Sequence, residues 1–241
     1  MLVIDHLNKK YKGTDKGVTD ISLHVEPGDI YAFIGRNGAG KTTLLKAITG
    51  IHPYDSGEVI IDGLRLREHE TEVKQRIAYI PDNPDIYEFL TGIQYLQLIA
   101  DVYGVSAADR EKRTREYAER FEITDALGDL ISSFSHGMRQ KLVLISALIH
   151  APKLLIMDEP FVGLDPKAAY VLKEMMKEMT KEGGAIFFST HVLEVAERLC
   201  NKVAIIKDGK LIASGNMEEV VRNGATLEEL FMETVMENTA E

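Results

Sequence analysis

The segment at positions 35–43 reads GRNGAGKTT, and its glycines, lysine and threonine are residue types that together can hold a phosphate group. Gly38 and Gly40 lack a Cβ, so their backbone amides can point at an anion without obstruction. Lys41 supplies a positive charge for terminal phosphates, and the Thr42 hydroxyl can ligate magnesium. An apolar run precedes the segment and a helical pattern follows it, as a P-loop requires. The predicted nucleotide contacts are Gly35, Arg36, Asn37, Gly38, Ala39, Gly40, Lys41, Thr42 and Thr43.

An acidic pair follows another apolar run, in KLLIMDEP at 153–160. The apolar residues place Asp158 at the end of a buried strand, where a carboxylate is unfavourable unless a cation compensates its charge. Because P-loop enzymes hold magnesium with a P-loop hydroxyl and such an aspartate, Thr42 and Asp158 are predicted metal ligands. Glu159 could orient and deprotonate an attacking water. The alternative interpretation is an acidic strand-to-turn junction without a ligand.

Three further motifs complete a recognisable order along the chain. They are FSHGMRQKL at 134–142, GLDP at 163–166 and Ser-Thr-His at 189–191. With the P-loop and the acidic pair, this order and spacing resemble those of the ATP-binding-cassette (ABC) ATPases. The resemblance extends from Tyr11 to the tail, and the run at 134–142 is its diagnostic element because other P-loop enzymes lack it.

The resemblance implies roles for single residues. Tyr11 stands where the family stacks an aromatic ring on adenine, although it could instead pack between N-terminal strands. Asp158 matches the magnesium-associated acid and Glu159 the catalytic base. His191 matches a histidine that senses the terminal phosphate, and Asp165 matches a loop that crosses a dimer interface. The residues predicted to act in catalysis are Lys41, Glu159 and His191.

The run at 134–142 is expected to act on the nucleotide of a second chain. Ser135 and Gly137 match positions that contact the terminal phosphate bound to the opposite protomer, and the helix starting near Met138 would direct its positive end there. His136 stands where glycine is usual, and it would be strained if this position needed a positive φ. Met138 stands where glutamine is common. Asp82 replaces a glutamine that reaches magnesium and water, so it is a further candidate metal ligand.

The elements that must position these residues alternate between strands and helices. The apolar runs at 154–157, 185–188 and 203–206 lack polar alternation, which predicts strands buried on both faces of a parallel sheet flanked by helices. The fold class predicted is α/β: a P-loop NTPase core with a mainly parallel sheet, an N-terminal antiparallel β part and an inserted helical subdomain. The predicted strands are 2–7, a run ending before Pro27, 30–35, 57–62, 77–80, 154–157, 185–188 and 203–207; the predicted helices are 40–48, 107–122, 165–181, 192–199 and 226–238.

The whole chain, 1–241, is predicted to be one nucleotide-binding domain. Its core spans about 1–82 and 142–218, the helical subdomain about 83–141, and an amphipathic C-terminal helix about 226–238, which begins with the capping box Thr226/Glu229. Leu96, Ile99, Ala100 and Tyr103 are spaced to form one apolar face of a helix in the subdomain.

Composition excludes several classes of protein. The chain carries 28 basic and 38 acidic residues, a net charge of −10, which argues against nucleic acid as the main partner. The single cysteine, Cys200, cannot form an intrachain disulfide, and a reducing compartment is expected. The longest stretch without charge has 12 residues, Phe89 to Ala100, well short of the roughly 20 that span a bilayer. No signal peptide is recognised, so a separate chain is expected to span any membrane.

The leading hypothesis is that the chain is the ATPase subunit of a bacterial exporter-type ABC transporter. The tail sequence LEELFMETV at 227–235 also resembles that of such subunits. ATP and Mg²⁺ are the implied cofactors. The implied partners are a transmembrane permease and a second copy or a homologous ATPase. The permease is expected to dock near 83–100, with Tyr87 and Phe89 as candidate contacts; the alternative for these two side chains is burial against the helices of the inserted subdomain. The expected location is cytoplasmic, at the inner face of the cell membrane. The alternatives are a soluble ABC ATPase acting on a macromolecular assembly and a small-molecule kinase.

Overall fold

Ten strands and nine helices, with two short 3₁₀ turns, are found in the computed structural model, which describes residues 1–14, 16–83, 85–221 and 226–236. The strands are β1 (Leu2–Lys10), β2 (Gly17–Val25), β3 (Ile30–Ile34), β4 (Ser56–Ile61), β5 (Leu64–Arg65), β6 (Ile77–Ile80), β7 (Leu154–Asp158), β8 (Ala185–Thr190), β9 (Lys202–Lys207) and β10 (Lys210–Asn216). The helices are α1 (Lys41–Ile48), α2 (Glu70–Arg76), α3 (Gly92–Val102), α4 (Ala107–Arg120), α5 (His136–Leu148), α6 (Pro166–Lys181), α7 (Leu193–Leu199), α8 (Met217–Val220) and α9 (Leu227–Met236).

The larger sheet has the strand order β10-β9-β3-β8-β7-β6, and all its neighbours except β10 and β9 run parallel. Every residue of β3, β7 and β8 is buried. In β3, Ala32 and Ile34 pack in a core with α5 and α6, whereas Tyr31 and Phe33 pack in a second core with α1. Helices therefore cover both faces, and the predicted parallel sheet of doubly buried strands is confirmed.

The smaller sheet has the order β2-β1-β4-β5 and is antiparallel throughout. It contributes Leu2, Ile4 and Val59 to the core that contains α1, so it covers the face of the large sheet opposite α5 and α6. The predicted antiparallel N-terminal part is thereby confirmed.

Several elements were not predicted, namely β5, α2, β10 and α8. Strand β10 extends the large sheet through a two-residue hairpin at Asp208 and Gly209, whose φ angles are 47° and 76°. Two consecutive positive φ angles are typical of the tight hairpin turns that Asp-Gly favours. The Asp-Gly dipeptide was therefore the available signal for this strand.

Helices α3, α4 and α5 occupy the region where a helical subdomain is predicted. Helix α3 begins with a capping box of Thr91 and Gln94. Along its predicted apolar face, Leu96 and Ala100 are fully buried and Ile99 packs against the same core. Tyr103 stacks on the His150 ring at 3.7 Å. The division into core and subdomain stays a prediction.

The C-terminal helix α9 starts as the sequence predicts. The Thr226 amide donates to Glu229 at 2.8 Å, and the Glu229 amide donates to the Thr226 hydroxyl at 3.2 Å. The predicted end of this helix, 237–238, lies outside the described residues. Within the described part of the chain, the helices are too short or too polar to cross a membrane.

Candidate functional site

The P-loop leaves the carboxyl end of β3 and leads into α1. Gly38 and Gly40 have φ angles of 85° and 111°, a region that side chains disfavour. A Cβ on Gly40 would also lie 2.9 Å from the Val18 side chain and 3.0 Å from the Gly17 carbonyl oxygen. Glycine is therefore required at position 40, and the loop can turn its amides toward the start of α1.

This loop forms one wall of a cleft of about 390 Å³. Tyr11, Lys16 and Gly17 line it near the N-terminal sheet, and Asp82 lies at its edge. The remaining lining residues are Arg36, Asn37, Gly38, Gly40, Lys41, Thr42, Thr43, Asp158 and Glu159. Two of the predicted P-loop contacts lie behind this surface: Gly35 accepts a hydrogen bond from Lys41, and the side chain of Ala39 is buried in the core.

Lys41 is buried at the base of the cleft. Its Nζ donates to the Gly35 carbonyl at 2.8 Å and lies 3.3 Å from Glu159 Oε1. A buried ammonium is stable only when paired and hydrogen-bonded, and here both conditions hold. The charge is therefore held in place beside the P-loop backbone.

Asp158 is fixed by hydroxyl groups on two other elements. Thr42 Oγ1 donates to Asp158 Oδ2 at 2.5 Å, and Ser189 Oγ donates to Asp158 Oδ1. Asp158 and Ser189 lie opposite each other in the register of β7 and β8. The role of Ser189 was missed by the sequence analysis, although Ser189 begins a recognised motif directly after the apolar run of β8.

Glu159 and His191 form a second polar pair. Glu159 has a φ of 50°, and its Oε2 accepts from His191 Nδ1 at 2.9 Å and from the His191 amide at 3.3 Å. Because the carboxylate can only accept, His191 Nδ1 carries the proton of this hydrogen bond. Glu159 is thus a non-glycine residue in the left-handed region whose side chain lines the cleft, and backbone strain of this kind is common at functional sites.

Asp82 adds a third carboxyl group to the same cleft. Burial raises the pKa of Asp82, and the negative charges of Asp158 and Glu159 raise it further. The site thus concentrates negative charge beside Lys41, as expected for a place that receives a cation.

Thr42 and Asp158, two of the predicted metal ligands, bring their oxygen atoms together in the cleft. Among the described residues, no group of three or more His, Cys, Asp and Glu could hold a metal. A hydroxyl and a carboxylate oxygen 2.5 Å apart still suit Mg²⁺, because Mg²⁺ prefers oxygen and takes most of its ligands from phosphates and water.

Tyr11 follows β1 at the mouth of the cleft. Its hydroxyl lies 3.2 Å from His52 Nδ1, and the two rings meet edge to face at 6.1 Å. Lys9 Nζ lies 5.6 Å from the centre of the Tyr11 ring. Both neighbours were missed by the sequence analysis. The stacking of Tyr11 on adenine stays a prediction.

The residues at 135–138 lie outside this cleft. Ser135 caps α5, its hydroxyl accepting from the Met138 amide at 3.3 Å. Ser135 and His136 are exposed, and His136 has helical backbone geometry in the first turn of α5, so the strain considered for a positive φ does not arise. A Cβ added to Gly137 would lie 3.5 Å from the Gly163 carbonyl oxygen.

Asp165 connects the GLDP loop to both α5 and α6. Its Oδ1 accepts from the Ala168 amide at 2.8 Å, which confirms the predicted cap of α6. Lys141 Nζ lies 2.7 Å from Oδ2. The hydrogen bonds from Lys141 and from the helix amide hold the pKa of Asp165 below its usual value. Lys141 was missed because its partner lies on another element.

Tyr87 and Phe89, the candidate partner contacts, are 53% and 76% exposed. Their ring centres are 5.8 Å apart, and Tyr87 also meets the ring of Tyr95 at 6.4 Å. Phe89 is therefore mostly exposed, whereas Tyr87 is about half exposed and packs partly against Tyr95 of α3; we call these two residues the exposed aromatic pair.

Known proteins share the sequence pattern of the chain. The family model described as "ABC transporter" matches residues 18–162. The linearmycin resistance ATP-binding protein LnrL of Bacillus subtilis (strain 168) is 33% identical over 220 residues, which cover 91% of this chain and 70% of LnrL.

Solved structures share the fold. A structure described as the ATP-binding subunit of an ABC transporter has a TM-score of 0.93 and 36% identity, covering 98% of this chain and 99% of that one. The dimeric structure of a post-hydrolysis state of the ATP-binding cassette MJ0796, bound to ADP and Pi, has a TM-score of 0.82. At 22% identity, over 90% of this chain and 99% of that one, this second likeness shows the fold alone.

Proposed function

The chain belongs to the ABC transporter family of ATP-binding subunits, and from this premise we propose that ATP closes it head to tail onto a second copy or a homologous ATPase to drive a separate membrane-spanning permease. As a member of this family, it is an ATPase. The observation that carries the proposal is the pair of bonded groups behind the P-loop, Thr42 with Asp158 and Glu159 with His191.

The cleft of one chain supplies half of the site. The loop amides and Lys41 bind the phosphates, since backbone N–H groups at a helix start and an ammonium both favour anions. Thr42 and Asp158 would hold Mg²⁺, which neutralises phosphate charge when bound. Ser189 keeps Asp158 oriented, because its hydroxyl occupies the other carboxylate oxygen.

Glu159 and His191 would act on water. Glu159 is close enough to the P-loop lysine to face the terminal phosphate, and one of its oxygens is held by His191. A carboxylate fixed in this way can orient a water and accept its proton. His191 acts here as a positioning residue, and its Nε2 would donate to an oxygen of the terminal phosphate when the ring carries both protons.

The other half of the site would come from the partner. Ser135 and the start of α5 are exposed, and α5 has no acidic residue in its first turn. A helix start of this kind attracts an anion. Since these residues lie outside the cleft of their own chain, a second chain arranged head to tail would bring them to the terminal phosphate.

The permease and the direction of transport belong to the same proposal. The exposed aromatic pair Tyr87 and Phe89 is suited to an apolar segment of another protein. The name of LnrL associates that relative with resistance to linearmycin, which favours export. This function would place the protein at the cytoplasmic face of the cell membrane. A soluble ABC ATPase acting on a macromolecular assembly is the alternative.

The test is the ATP-dependent association state of Glu159→Gln. This variant keeps the shape of the side chain and loses its basicity, so it should bind ATP, stop hydrolysis and accumulate dimers in sedimentation velocity. The matched control is Glu228→Gln, at an exposed position on α9, which should hydrolyse ATP like the parent. A Glu159→Gln protein that stays monomeric in saturating ATP would contradict the proposed function.

A further inference from the structure

The guanidinium of Arg139 holds the chain immediately before Ser135. Its Nε donates to the Phe134 carbonyl at 3.2 Å and its Nη2 to the Ser132 carbonyl at 3.3 Å. Its Nη1 donates to the carboxylate of Glu88. One planar group therefore joins three acceptors, and two of them belong to the segment that sets the direction of α5.

Main-chain hydrogen bonds tie the same two segments together. The Ser132 amide donates to the Glu88 carbonyl at 3.0 Å, and the Ile131 amide donates to the Leu90 carbonyl at 2.9 Å. Glu88 thus contacts the segment before α5 through both its backbone and its side chain. A displacement of Glu88 would act on two points of that segment.

Glu88 also lies between the two exposed aromatic residues. Tyr87 and Phe89 present their rings to solvent, while the carboxylate between them turns toward Arg139. The two residues available to a partner, Tyr87 and Phe89, are therefore the direct sequence neighbours of Glu88, whose carboxylate is bonded to Arg139 in α5.

We propose that Glu88 and Arg139 are positioning residues that couple the exposed aromatic pair to the phosphate-binding start of α5. The permease segment proposed to contact Tyr87 and Phe89 would then change the strength of the contact between Ser135 and the ATP bound to the second chain. This inference rests on the proposed function, because it takes Ser135 as a contact made across the dimer.

Coupling of this kind is reciprocal. If the permease segment bound at the aromatic pair alters the contact made by Ser135, formation of that contact must alter the affinity of the aromatic pair for that segment by the same free energy. We therefore expect ATP-driven dimerisation to change the amide hydrogen exchange of residues 87–92, although these residues lie outside the nucleotide cleft. The isolated protein can report this response without a permease.

The experiment compares Arg139→Lys with Arg120→Lys, both made in Glu159→Gln. Lysine keeps the charge but lacks the planar fork that reaches three acceptors. Arg120 is a matched control, because it is similarly exposed and pairs with Glu178 through two nitrogens, at 2.6 and 3.0 Å. Dimerisation is titrated with ATP by sedimentation velocity, and amide hydrogen exchange is followed over residues 87–92 and 131–138.

In Glu159→Gln, saturating ATP should slow exchange over residues 87–92 by at least about fivefold. Arg139→Lys should need at least about fivefold more ATP for half-maximal dimerisation. At saturating ATP this variant should keep protection at 131–138 and lose it at 87–92. Arg120→Lys should match its parent in both measurements.

Glu88→Gln provides a second variant that leaves the bonds from Arg139 to Ser132 and Phe134 available. Like Arg139→Lys, it should reduce the ATP-dependent slowing of hydrogen exchange at residues 87–92. Combining the two substitutions should reduce it little further, as expected for two residues acting through one contact. Full additivity of the two changes would overturn the coupling.

The remaining outcomes separate the two proposals. If Glu159→Gln does not dimerise with ATP, the proposed function fails and this inference fails with it. If it dimerises while exchange at residues 87–92 is unchanged, or if Arg139→Lys behaves like Arg120→Lys, the coupling is wrong and the proposed function stands.

Discussion

The polar side chains at the carboxyl ends of β7 and β8 are bonded to one another, whereas those at the start of α5 face solvent. In the cleft, Asp158 is held by Thr42 and Ser189, and Glu159 is held by His191. Ser135 bonds only within its own first turn among the contacts described, and it is exposed.

Under the proposed function, this difference separates the half of the site that one chain completes from the half that a second chain would supply. Asp158 and Ser189, which are proposed to fix the geometry around a cation, are buried and bonded across two parallel strands. Ser135, which is proposed to meet the phosphate held by another chain, is exposed and caps its own helix.

Replacing Lys41 should have the largest effect on the cleft. Lys41→Ala removes the charge aimed at the phosphates and leaves Glu159 buried without its ion-pair partner. We expect ATP affinity to fall by at least about a hundredfold. Isothermal titration with ATP measures this, and Lys46→Ala, in the last turn of the same helix, is the control. Unchanged ATP affinity would show that the cleft does not bind the nucleotide.

Replacing Ser189 should lower catalysis without removing the site. Ser189→Ala frees one oxygen of Asp158, so the carboxylate is less well oriented toward a cation. Loss of such an outer partner typically lowers activity or metal affinity about tenfold to a hundredfold. The readouts are kcat and the Mg²⁺ dependence of ATPase activity. Ser146→Ala, at a buried serine bonded to the Val143 carbonyl in α5, should leave both unchanged; an equal loss there would show a packing effect.

Replacing Asp82 should strengthen nucleotide binding by a small factor. Asp82→Asn removes a negative charge from a cleft that receives an anion, and we expect ATP affinity at pH 7 to rise about two- to fivefold. Since the pKa of Asp82 is raised, the parent loses stability as pH increases through that pKa, and the variant should lose less. Urea unfolding at several pH values measures the second effect. Weaker ATP binding would instead indicate a direct metal contact.

Replacing Phe89 should leave the chemistry of the isolated chain nearly unchanged. The ring is 76% exposed, so Phe89→Ala removes little packing. We expect ATP-driven dimerisation in Glu159→Gln to be unaltered and binding of the cognate permease, reconstituted in lipid nanodiscs, to weaken about tenfold. Tyr170→Ala, at another exposed aromatic position, should not change permease binding. If Phe89→Ala and Tyr170→Ala weakened permease binding equally, the aromatic pair would not be the specific contact for the permease.

Local features of the sequence predicted most of the cleft. The P-loop, the acidic pair and the buried strands are each contained in a few consecutive residues, and the structure places them at adjoining strand ends. The helix caps at Asp165 and Thr226 were also predicted, because a cap needs only the residues of one turn.

What escaped prediction depends on contacts between distant segments. The bond from Ser189 to Asp158 requires the register of β7 and β8, and the pairing of Lys141 with Asp165 requires the packing of α5 against the GLDP loop. The direction of Arg139 likewise depends on a segment about fifty residues away. Periodicity and motif spacing contain no information on such registers, so these partners emerge only from the folded chain.

Two chains are expected to complete one site together, and this can be examined by mixing two chains that are defective in different halves. Lys41→Ala spoils the cleft and keeps the start of α5. Ser135→Asp spoils the start of α5 by adding a charge that repels phosphate, while aspartate caps a helix as well as serine does. Neither variant should hydrolyse ATP alone, whereas an equimolar mixture should recover activity, since each mixed pair holds one intact site. An inactive mixture, or full activity of Ser135→Asp on its own, would contradict the account.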